Sequence, residues 1–180
     1  VVAAKHLPQE LLTGAGWRDC QYGKLSAVEI PYRDRDGSLL ATQYRLSLAG
    51  GQRFRFKRND TVKTLYGLDR WRPEELTLLV EGTTDVLTAR LHGHNALGVA
   101  AADGWDEARH ATILDQCDGI LFVQEPDQGG KTLRSALARS RLRHKVRVVT
   151  LGEFKDLNAM HCADPAQFIE RLERAIRTAQ

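Results

Sequence analysis

Two patterns of hydrophobic and polar residues divide the chain. Between Ala27 and Lys57, apolar and polar residues alternate, and turn residues such as Asp36-Gly37 interrupt the alternation. Alternation with a period of two is typical of strands with one buried face. From Leu76 onward, short apolar runs alternate with longer segments that have helical periodicity. The first pattern predicts a small antiparallel sheet, and the second predicts an α/β arrangement in which helices flank a parallel sheet of about four strands.

The individual elements follow from these patterns. We predict antiparallel strands over residues 27–34, 39–48 and 52–58. We predict parallel strands over residues 76–82, 95–101, 118–124 and 145–152, and helices over residues 83–93, 103–117, 129–143 and 164–179. Pro73 lies where the pattern changes. The chain is therefore predicted to form a small basic α+β subdomain over residues 1–73 and a second domain over residues 74–180.

The formal net charge is only +3, but the charges are unevenly distributed. Residues 41–68 contain six basic residues and one acid, and residues 69–127 contain twelve acids and four arginines. Residues 128–152 contain seven basic residues and no acid. Basic blocks on both sides of an acidic block favour a polyanion-binding surface around a cation-binding centre. The alternative is that these charged residues only form solvated faces.

Several features bear on the location of the protein. No apolar run reaches the roughly 18 residues that a membrane span needs, and charged residues interrupt the N-terminal segment, so neither a span nor a secretory signal is predicted. The three cysteines are widely separated and form no C-x-x-C pair, which indicates reduced thiols and a cytoplasmic location; they are Cys20, Cys117 and Cys162. The chain begins with Val1 rather than Met, so we expect a fragment of a longer protein.

Acidic residues recur where the predicted parallel strands end. They are Glu81, Asp85, Asp103, Glu125, Asp127 and Asp156. Because the carboxyl ends of parallel strands lie at one edge of a sheet, we expect these residues to converge there. Any one of them alone could be a helix-capping acid. Clustered carboxylates, however, repel one another unless a cation holds them, and sites with only oxygen ligands favour Mg²⁺ or Mn²⁺.

Residues 129–132, Gly-Gly-Lys-Thr, suggest a nucleotide-binding P-loop at first sight. That motif has the form G-x-x-x-x-G-K-[ST], and its first glycine would have to stand at position 125. Position 125 is Glu125, so a P-loop ATPase is disfavoured. Gly129 and Gly130 instead mark the turn into the next helix.

Three segments together resemble the TOPRIM domain of bacterial primases, topoisomerases and related nucleases. They are LLVEGTTDVLTA at 78–89, LFVQEPDQGG at 121–130 and KDLN at 155–158. They are similar in order and spacing to the family's E-G-x-x-D, D-x-D-x-x-G and, in primases, K-D-x-[DN] motifs. Further upstream, IPYRDRDGSLLATQYRL and LYGLDR resemble the amino-terminal half of the RNA-polymerase domain of bacterial-type primases. The resemblance spans about residues 28–157.

This resemblance implies a Rossmann-like TOPRIM sheet and an acidic active site. Two Mg²⁺ or Mn²⁺ ions are implied, with ligands Asp85, Glu125, Asp127 and Asp156. Glu81 is implied as the general base or as a further ligand. Two positions depart from the family pattern: Glu125 stands where Asp is usual, and Asn158 stands where Asp is common. Both residues keep an oxygen ligand, so metal binding is expected to survive.

The resemblance also implies the residues that hold nucleic acid and nucleotide. Single-stranded DNA template is expected to bind the basic residues Arg45, Arg55, Lys57, Arg58 and Lys63. The phosphates of incoming NTPs are expected near Gly82, Gly129, Gly130, Lys131, Lys155 and Asn158.

The implied function is that of a DNA primase catalytic core, a nucleotidyltransferase that makes RNA primers for DNA replication. With Glu125 and Asn158 at these two positions, the chain resembles the divergent TOPRIM proteins of phages and mobile elements. Family members work with a replicative helicase and an upstream zinc-binding domain, so both are expected partners. A metal-dependent TOPRIM nuclease and a non-catalytic nucleic-acid-binding TOPRIM module remain as alternatives. A topoisomerase is disfavoured because nothing here resembles its tyrosine-bearing domain.

Overall fold

The computed structural model of the chain describes residues 1–48, 50, 53–58, 60, 64–100 and 104–180. One antiparallel and one parallel sheet, each of four strands, form the framework of these residues. The antiparallel sheet comes first along the chain and the parallel sheet second, which confirms the predicted fold class. In the described part of the chain, no helix is both long and apolar enough to cross a membrane.

The antiparallel sheet follows two short helices, α1 (Val2–Lys5) and α2 (Gln9–Gly14). Its strands are adjacent in chain order: β1 (Arg18–Tyr22), β2 (Leu25–Arg33), β3 (Leu39–Arg45) and β4 (Phe54–Phe56). The sequence pattern did not predict β1, α1 or α2. Strand β1 lies at the edge of the sheet, and three of its five residues are exposed, so it shows no apolar alternation.

The parallel sheet consists of β5 (Thr77–Glu81), β6 (Ala96–Val99), β7 (Ile120–Gln124) and β8 (Val146–Thr150). Five helices connect and cover these strands: α3 (Thr83–Leu91), α4 (Glu107–Leu114), α5 (Gln128–Arg139), α6 (Leu157–Ala163) and α7 (Phe168–Arg177). The spatial order is β6-β5-β7-β8. The connections therefore reverse direction between β5 and β7, and such a switch point opens a crevice beyond the carboxyl ends of the two strands.

Buried apolar residues cover both faces of the parallel sheet, as its continuous apolar strands require. On one face, Leu78 and Val80 of β5 share a core with Ile30 and Tyr32 of β2. On the other face, α4 and α5 contribute Leu114, Leu133 and Leu137 to a second core. The first core therefore includes residues of both sheets. The domain boundary at residues 73 and 74 stays a prediction.

Helix α5 approaches the preceding turn so closely that it needs a glycine. A Cβ atom built on Gly130 would lie 2.1 Å from the backbone oxygen of Glu125, a distance that atoms do not reach without displacement of the backbone. This close approach presses the N-terminal turn of α5 against the end of β7, and it fixes the position of Glu125.

We expect Gly130→Ala to lower the free energy of unfolding by about 1–3 kcal/mol, because the added methyl group overpacks a contact with backbone rather than with a movable side chain. Gly14→Ala is the matched control, since Gly14 is also helical and a Cβ atom built on it would have no other atom within 4 Å. Chemical denaturation of the two variants measures the difference. Equal stability of the two variants would contradict the close packing at Gly130.

Candidate metal and nucleotide site

Three carboxylates converge at the switch point of the parallel sheet. Each of Asp85, Glu125 and Asp156 offers an oxygen, and these three oxygens lie within 4.8 Å of one another. Asp85 comes from α3, Glu125 from the turn after β7, and Asp156 from the N-terminus of α6. We call these three residues the carboxylate cluster. Three of the six acids expected at one edge of the sheet are thus brought together.

Local backbone structure positions Asp85. Gly82 has φ 81° and ψ 166°, a conformation that glycine adopts without strain, and it turns the chain sharply from β5 into α3. Asp85 then lies in the first turn of α3, with only 7% of its surface exposed. Its Oδ1 accepts a hydrogen bond of 2.9 Å from the backbone nitrogen of Asn158, which ties α3 to α6.

The other acids at this edge are held by helix N-termini or by a lysine. Asp156 caps α6 by accepting a hydrogen bond of 2.7 Å from the nitrogen of Ala159. Asp127 caps α5 by accepting a hydrogen bond of 3.2 Å from the nitrogen of Gly130. Lys155 lies beside them. Its Nζ is 3.1 Å from Oε2 of Glu125 and 3.8 Å from Oδ2 of Asp127. Asp127 thus adjoins the carboxylate cluster without being one of its three members.

Glu81 lies at the end of β5. It is the fifth acid at this edge, after Asp85, Glu125, Asp127 and Asp156, and it lacks the hydrogen bonds or the ion pair that hold the other four. Its Oε1 is buried and has no hydrogen-bond partner among the described residues. Burial raises the pKa of Glu81 to about 7, and the negative charges of Glu125 and Asp127 add to the rise. A carboxyl group with a pKa near neutrality is suited to accept and release protons during a reaction.

The carboxylate cluster has the ligands that a hard divalent cation requires. Burial raises the pKa of Asp85, and the charge of Asp156 raises it further. Burial also raises the pKa of Glu125, although Lys155 opposes this rise. Carboxylate oxygens at this spacing fit Mg²⁺ or Mn²⁺, whose charge would relieve the repulsion. The number of ions stays a prediction.

The predicted DNA-binding residues fall into two environments. Arg55, Lys57 and Arg58 are exposed on β4 and just after it. Arg45 is only 4% exposed, and its Nη1 donates a hydrogen bond of 3.3 Å to Oγ1 of Thr84, one residue before Asp85. Arg45 therefore lies next to α3 and the acidic site, apart from the exposed basic residues. Lys63 and Asp103 lie outside the described residues.

Arg45 and Thr84 form a contact that sequence reasoning missed. The Arg45 guanidinium also lies 4.9 Å from the centre of the Phe54 ring, and burial lowers its pKa. Its Nε is buried without a hydrogen-bond partner among the described residues. Nothing in the sequence pairs position 45 with position 84, because the contact arises only when β3 and α3 come together in the folded protein.

The predicted nucleotide-binding residues also differ in exposure and in the elements that carry them. Gly129 and Lys131 belong to the first turn of α5, close to Asp127, and Lys131 is exposed. Asn158 is only 2% exposed, and its side-chain nitrogen donates hydrogen bonds to the oxygen of Lys5 and to Oγ1 of Thr88. Its amide thus joins α6 to the N-terminal segment and to α3. A contact of Asn158 with nucleotide stays a prediction.

Comparison with solved structures identifies the fold. The primase fragment of the bacteriophage T7 primase-helicase protein is 21% identical, with a TM-score of 0.79 over 94% of this chain and 72% of that chain. A DnaG primase catalytic domain bound to single-stranded DNA is 17% identical, with a TM-score of 0.77 over 97% of this chain and 70% of that chain. A DNA primase domain from Pseudomonas aeruginosa is 19% identical, with a TM-score of 0.73 over 99% and 70% of the two chains.

The chain therefore has the TOPRIM-containing fold of primase catalytic cores, which confirms the resemblance found in the sequence. No family model and no curated protein matches the sequence. At these identities the likeness establishes the fold, and the function has to be argued from the site.

We expect Mn²⁺ to raise the melting temperature of the protein at pH 8, because a cation that binds only the folded carboxylate cluster stabilises it by mass action. In Asp85→Asn this rise should be largely lost. The melting temperature without metal should instead increase by about 2–4 °C, as about 1 kcal/mol of relieved repulsion predicts for a chain of this size. Asparagine keeps an oxygen that accepts the hydrogen bond from Asn158.

Differential scanning calorimetry with and without Mn²⁺ measures both effects. Asp118→Asn is the matched control, because Asp118 is exposed just before β7, at the opposite end of that strand from Glu125. It should leave the Mn²⁺-dependent rise intact. A full Mn²⁺ response in Asp85→Asn would contradict the assignment of Asp85 to the metal site.

Proposed function

We propose that this chain is the catalytic core of a DNA primase, a nucleotidyltransferase that makes RNA primers on single-stranded DNA. The observation that carries the proposal is the carboxylate cluster, with Glu81 beside it, at the switch point of a fold shared with primase catalytic cores. Three of the similar structures were solved with nucleic acid. One is bound to single-stranded DNA, one to an RNA/DNA hybrid and dTTP, and one to a double-stranded DNA oligomer with a 6-nucleotide overhang.

In the proposed reaction, the 3′-hydroxyl of a growing primer attacks the α-phosphate of an incoming NTP, and pyrophosphate leaves. The ligands Asp85, Glu125, Asp127 and Asp156 would hold one or two divalent ions. Mg²⁺ or Mn²⁺ bound there would neutralise the triphosphate and orient it for attack. Glu81 would accept the proton of the attacking hydroxyl, because its pKa of about 7 leaves much of it ionised at neutral pH.

The backbone at two helix N-termini supports triphosphate binding. Gly82 precedes α3, and Gly129 and Gly130 lie in the first turn of α5, where the nitrogen of Gly130 already donates to Asp127. Amide groups at such positions point along the helix axis and attract phosphate oxygens. Lys131 and Lys155 would add positive charge beside them, since lysine binds phosphate as a point charge.

Template binding is proposed for the exposed basic residues of the antiparallel sheet and for Lys63. Contacts of this kind go to the phosphates, so binding should depend on salt and be nearly independent of sequence. Arg45 lies between this surface and the acidic site. We propose that it holds the part of the template or nucleotide that is nearest to α3.

Partners are proposed from the same set of similar structures. The T7 neighbour is part of a primase-helicase protein, and a primase from Aquifex aeolicus contains zinc-binding and RNA polymerase domains. We propose that this chain, too, works with a helicase and with a zinc-binding domain, and that it belongs to the primases of phages or mobile elements. Its departures at Glu125 and Asn158 support that origin.

We expect the protein to extend a short RNA annealed to single-stranded DNA when NTPs and Mg²⁺ or Mn²⁺ are supplied. An annealed RNA removes the need for initiation, the step for which the proposed zinc-binding partner would be required. Glu81→Gln should lower the extension rate by about 10²- to 10⁴-fold, because the proton acceptor is lost while the size of the side chain is kept. Asp127→Asn should also lower it, and Asp118→Asn should not.

The pH dependence of extension follows from the raised pKa of Glu81. A protonated Glu81 cannot accept a proton, so the rate should rise with pH as this carboxyl group ionises and then level off. Bound divalent ions would offset the charges of Glu125 and Asp127, so the rise should lie below pH 7. Glu81→Gln should lack this rise. Denaturing gels of labelled RNA measure the products. Cleavage of the DNA without NTP incorporation would instead support the nuclease, and DNA binding without either product would support a non-catalytic module.

Substitution of the exposed basic residues tests the template surface. We expect Lys57→Ala to weaken binding of single-stranded DNA and to reduce the slope of log K against log salt by about 0.7, the value for one lost phosphate contact. Fluorescence anisotropy at several salt concentrations measures the slope. Arg174→Ala is the control, because Arg174 is an exposed arginine on α7 that pairs with Glu170. An equal loss in both variants would indicate a nonspecific effect of charge and contradict the assigned surface.

A further inference from the structure

Lys155 occupies a position that a divalent cation would make unfavourable. Its ammonium group lies 3.1 Å from Oε2 of Glu125 and 3.8 Å from Oδ2 of Asp127. Among the described residues, it is the one cation within ion-pair distance of any of the five acids at this edge. The next residue along the chain, Asp156, belongs to the carboxylate cluster, so the lysine and the cluster share one loop.

The contact with Glu125 is well formed and partly shielded. The side chain of Glu125 is only 13% exposed, whereas that of Lys155 is 49% exposed and retains room to move. The hydrogen bond to Glu125 raises the pKa of Lys155, so the ammonium form persists throughout the neutral range. Lys155 is thus a fixed positive charge on a flexible side chain, next to a buried acid that is also a candidate metal ligand.

A divalent cation in the carboxylate cluster would weaken the ion pair between Lys155 and Glu125. Glu125 would direct negative charge to the metal, and the metal would repel the ammonium group at short range. The displaced ammonium would then lie at the mouth of a site whose proposed second ligand is a triphosphate. Lysine side chains bind phosphate well, and half of this one is already in contact with solvent.

We infer that Lys155 is an exchangeable counter-cation: it holds Glu125 and Asp127 together when no metal is bound, and it transfers to the nucleotide phosphates when a divalent ion occupies the cluster. This inference rests on the proposed function, because the metal and the NTP are the ligands proposed there. In this positioning role Lys155 exchanges carboxylate partners for phosphate partners. Removal of its charge should therefore strengthen metal binding and weaken nucleotide binding.

Lys155→Met tests the exchange, since methionine keeps much of the length of the side chain and removes its charge. Without nucleotide, we expect Mn²⁺ to bind Lys155→Met about 3- to 10-fold more tightly than it binds the unsubstituted protein, as the loss of a competing ion pair predicts. In saturating Mn²⁺, we expect ATP to bind Lys155→Met more weakly, by a similar factor. Isothermal titration calorimetry measures both constants, and Lys155→Arg should restore both towards their original values.

Arg134→Met is the matched control. Arg134 is an exposed arginine on α5 that hydrogen-bonds the side chain of Gln124, so its substitution changes the net charge by the same amount near the site. It should leave Mn²⁺ affinity almost unchanged. Equal tightening of Mn²⁺ binding in Lys155→Met and Arg134→Met would overturn the inference, because a general charge effect would explain it. Unchanged ATP binding in Lys155→Met, or no Mn²⁺ binding by any of the proteins, would overturn it as well.

The titrations need neither template nor primer synthesis, so they separate this inference from the proposed function. Opposite shifts in Mn²⁺ and ATP affinity in a protein that does not extend RNA would support the exchange and count against the primase. RNA extension by a protein whose Mn²⁺ affinity is insensitive to Lys155→Met would support the primase and overturn the exchange alone.

Discussion

The mutual repulsion of five carboxylates at one edge of the parallel sheet is the constraint on which the rest of the site depends. Three of them receive backbone hydrogen bonds at or near helix N-termini: Asp85 from Asn158, Asp127 from Gly130 and Asp156 from Ala159. Glu125 receives an ammonium group instead. Glu81 receives neither among the described residues, and burial together with the charges of Glu125 and Asp127 raises its pKa to about 7. Glu81, which has neither a backbone hydrogen bond nor an ion pair among the described residues, is thus the acid best suited to exchange protons near neutral pH.

The N-terminal part of the chain also contacts the helices that carry the acidic edge, α3 and α6. The oxygen of Lys5 in the N-terminal segment accepts a hydrogen bond from the side chain of Asn158, whose backbone nitrogen donates to Asp85. On the other side, Arg45 of β3 places a buried guanidinium beside Thr84. Such a charge is tolerated at 4% exposure because the Phe54 ring and the field of Asp85 partly replace its hydration. The N-terminal part therefore provides a hydrogen-bond acceptor, the oxygen of Lys5, and a positive charge, that of Arg45, next to the acidic edge.

Much of this arrangement could be predicted from the sequence, because it depends on local patterns. The apolar runs specify β5 to β8, and the glycines after β5 and β7 specify sharp turns that leave acids at the strand ends. The exposed strand β1 carries no such pattern. The contacts of Arg45 with Thr84 and of Lys155 with Glu125 join residues 39 and 30 positions apart in the chain, and only tertiary packing decides them. The sequence grouped Arg45 with the exposed basic residues because alternation alone does not tell which residues of a strand a helix will cover.

The two departures from the family pattern can be understood as adjustments to the same repulsion. Glu125 reaches one methylene further than aspartate, which lets a single side chain join the carboxylate cluster and still contact Lys155. Asn158 is buried and donates its amide hydrogens to two oxygens, those of Lys5 and Thr88. An aspartate there would offer no hydrogens to these acceptors and would add a sixth carboxylate beside Asp85. An amide at position 158 therefore stabilises the packing of α6, and the metal-binding charge is left to residues that a cation or a helix N-terminus can support.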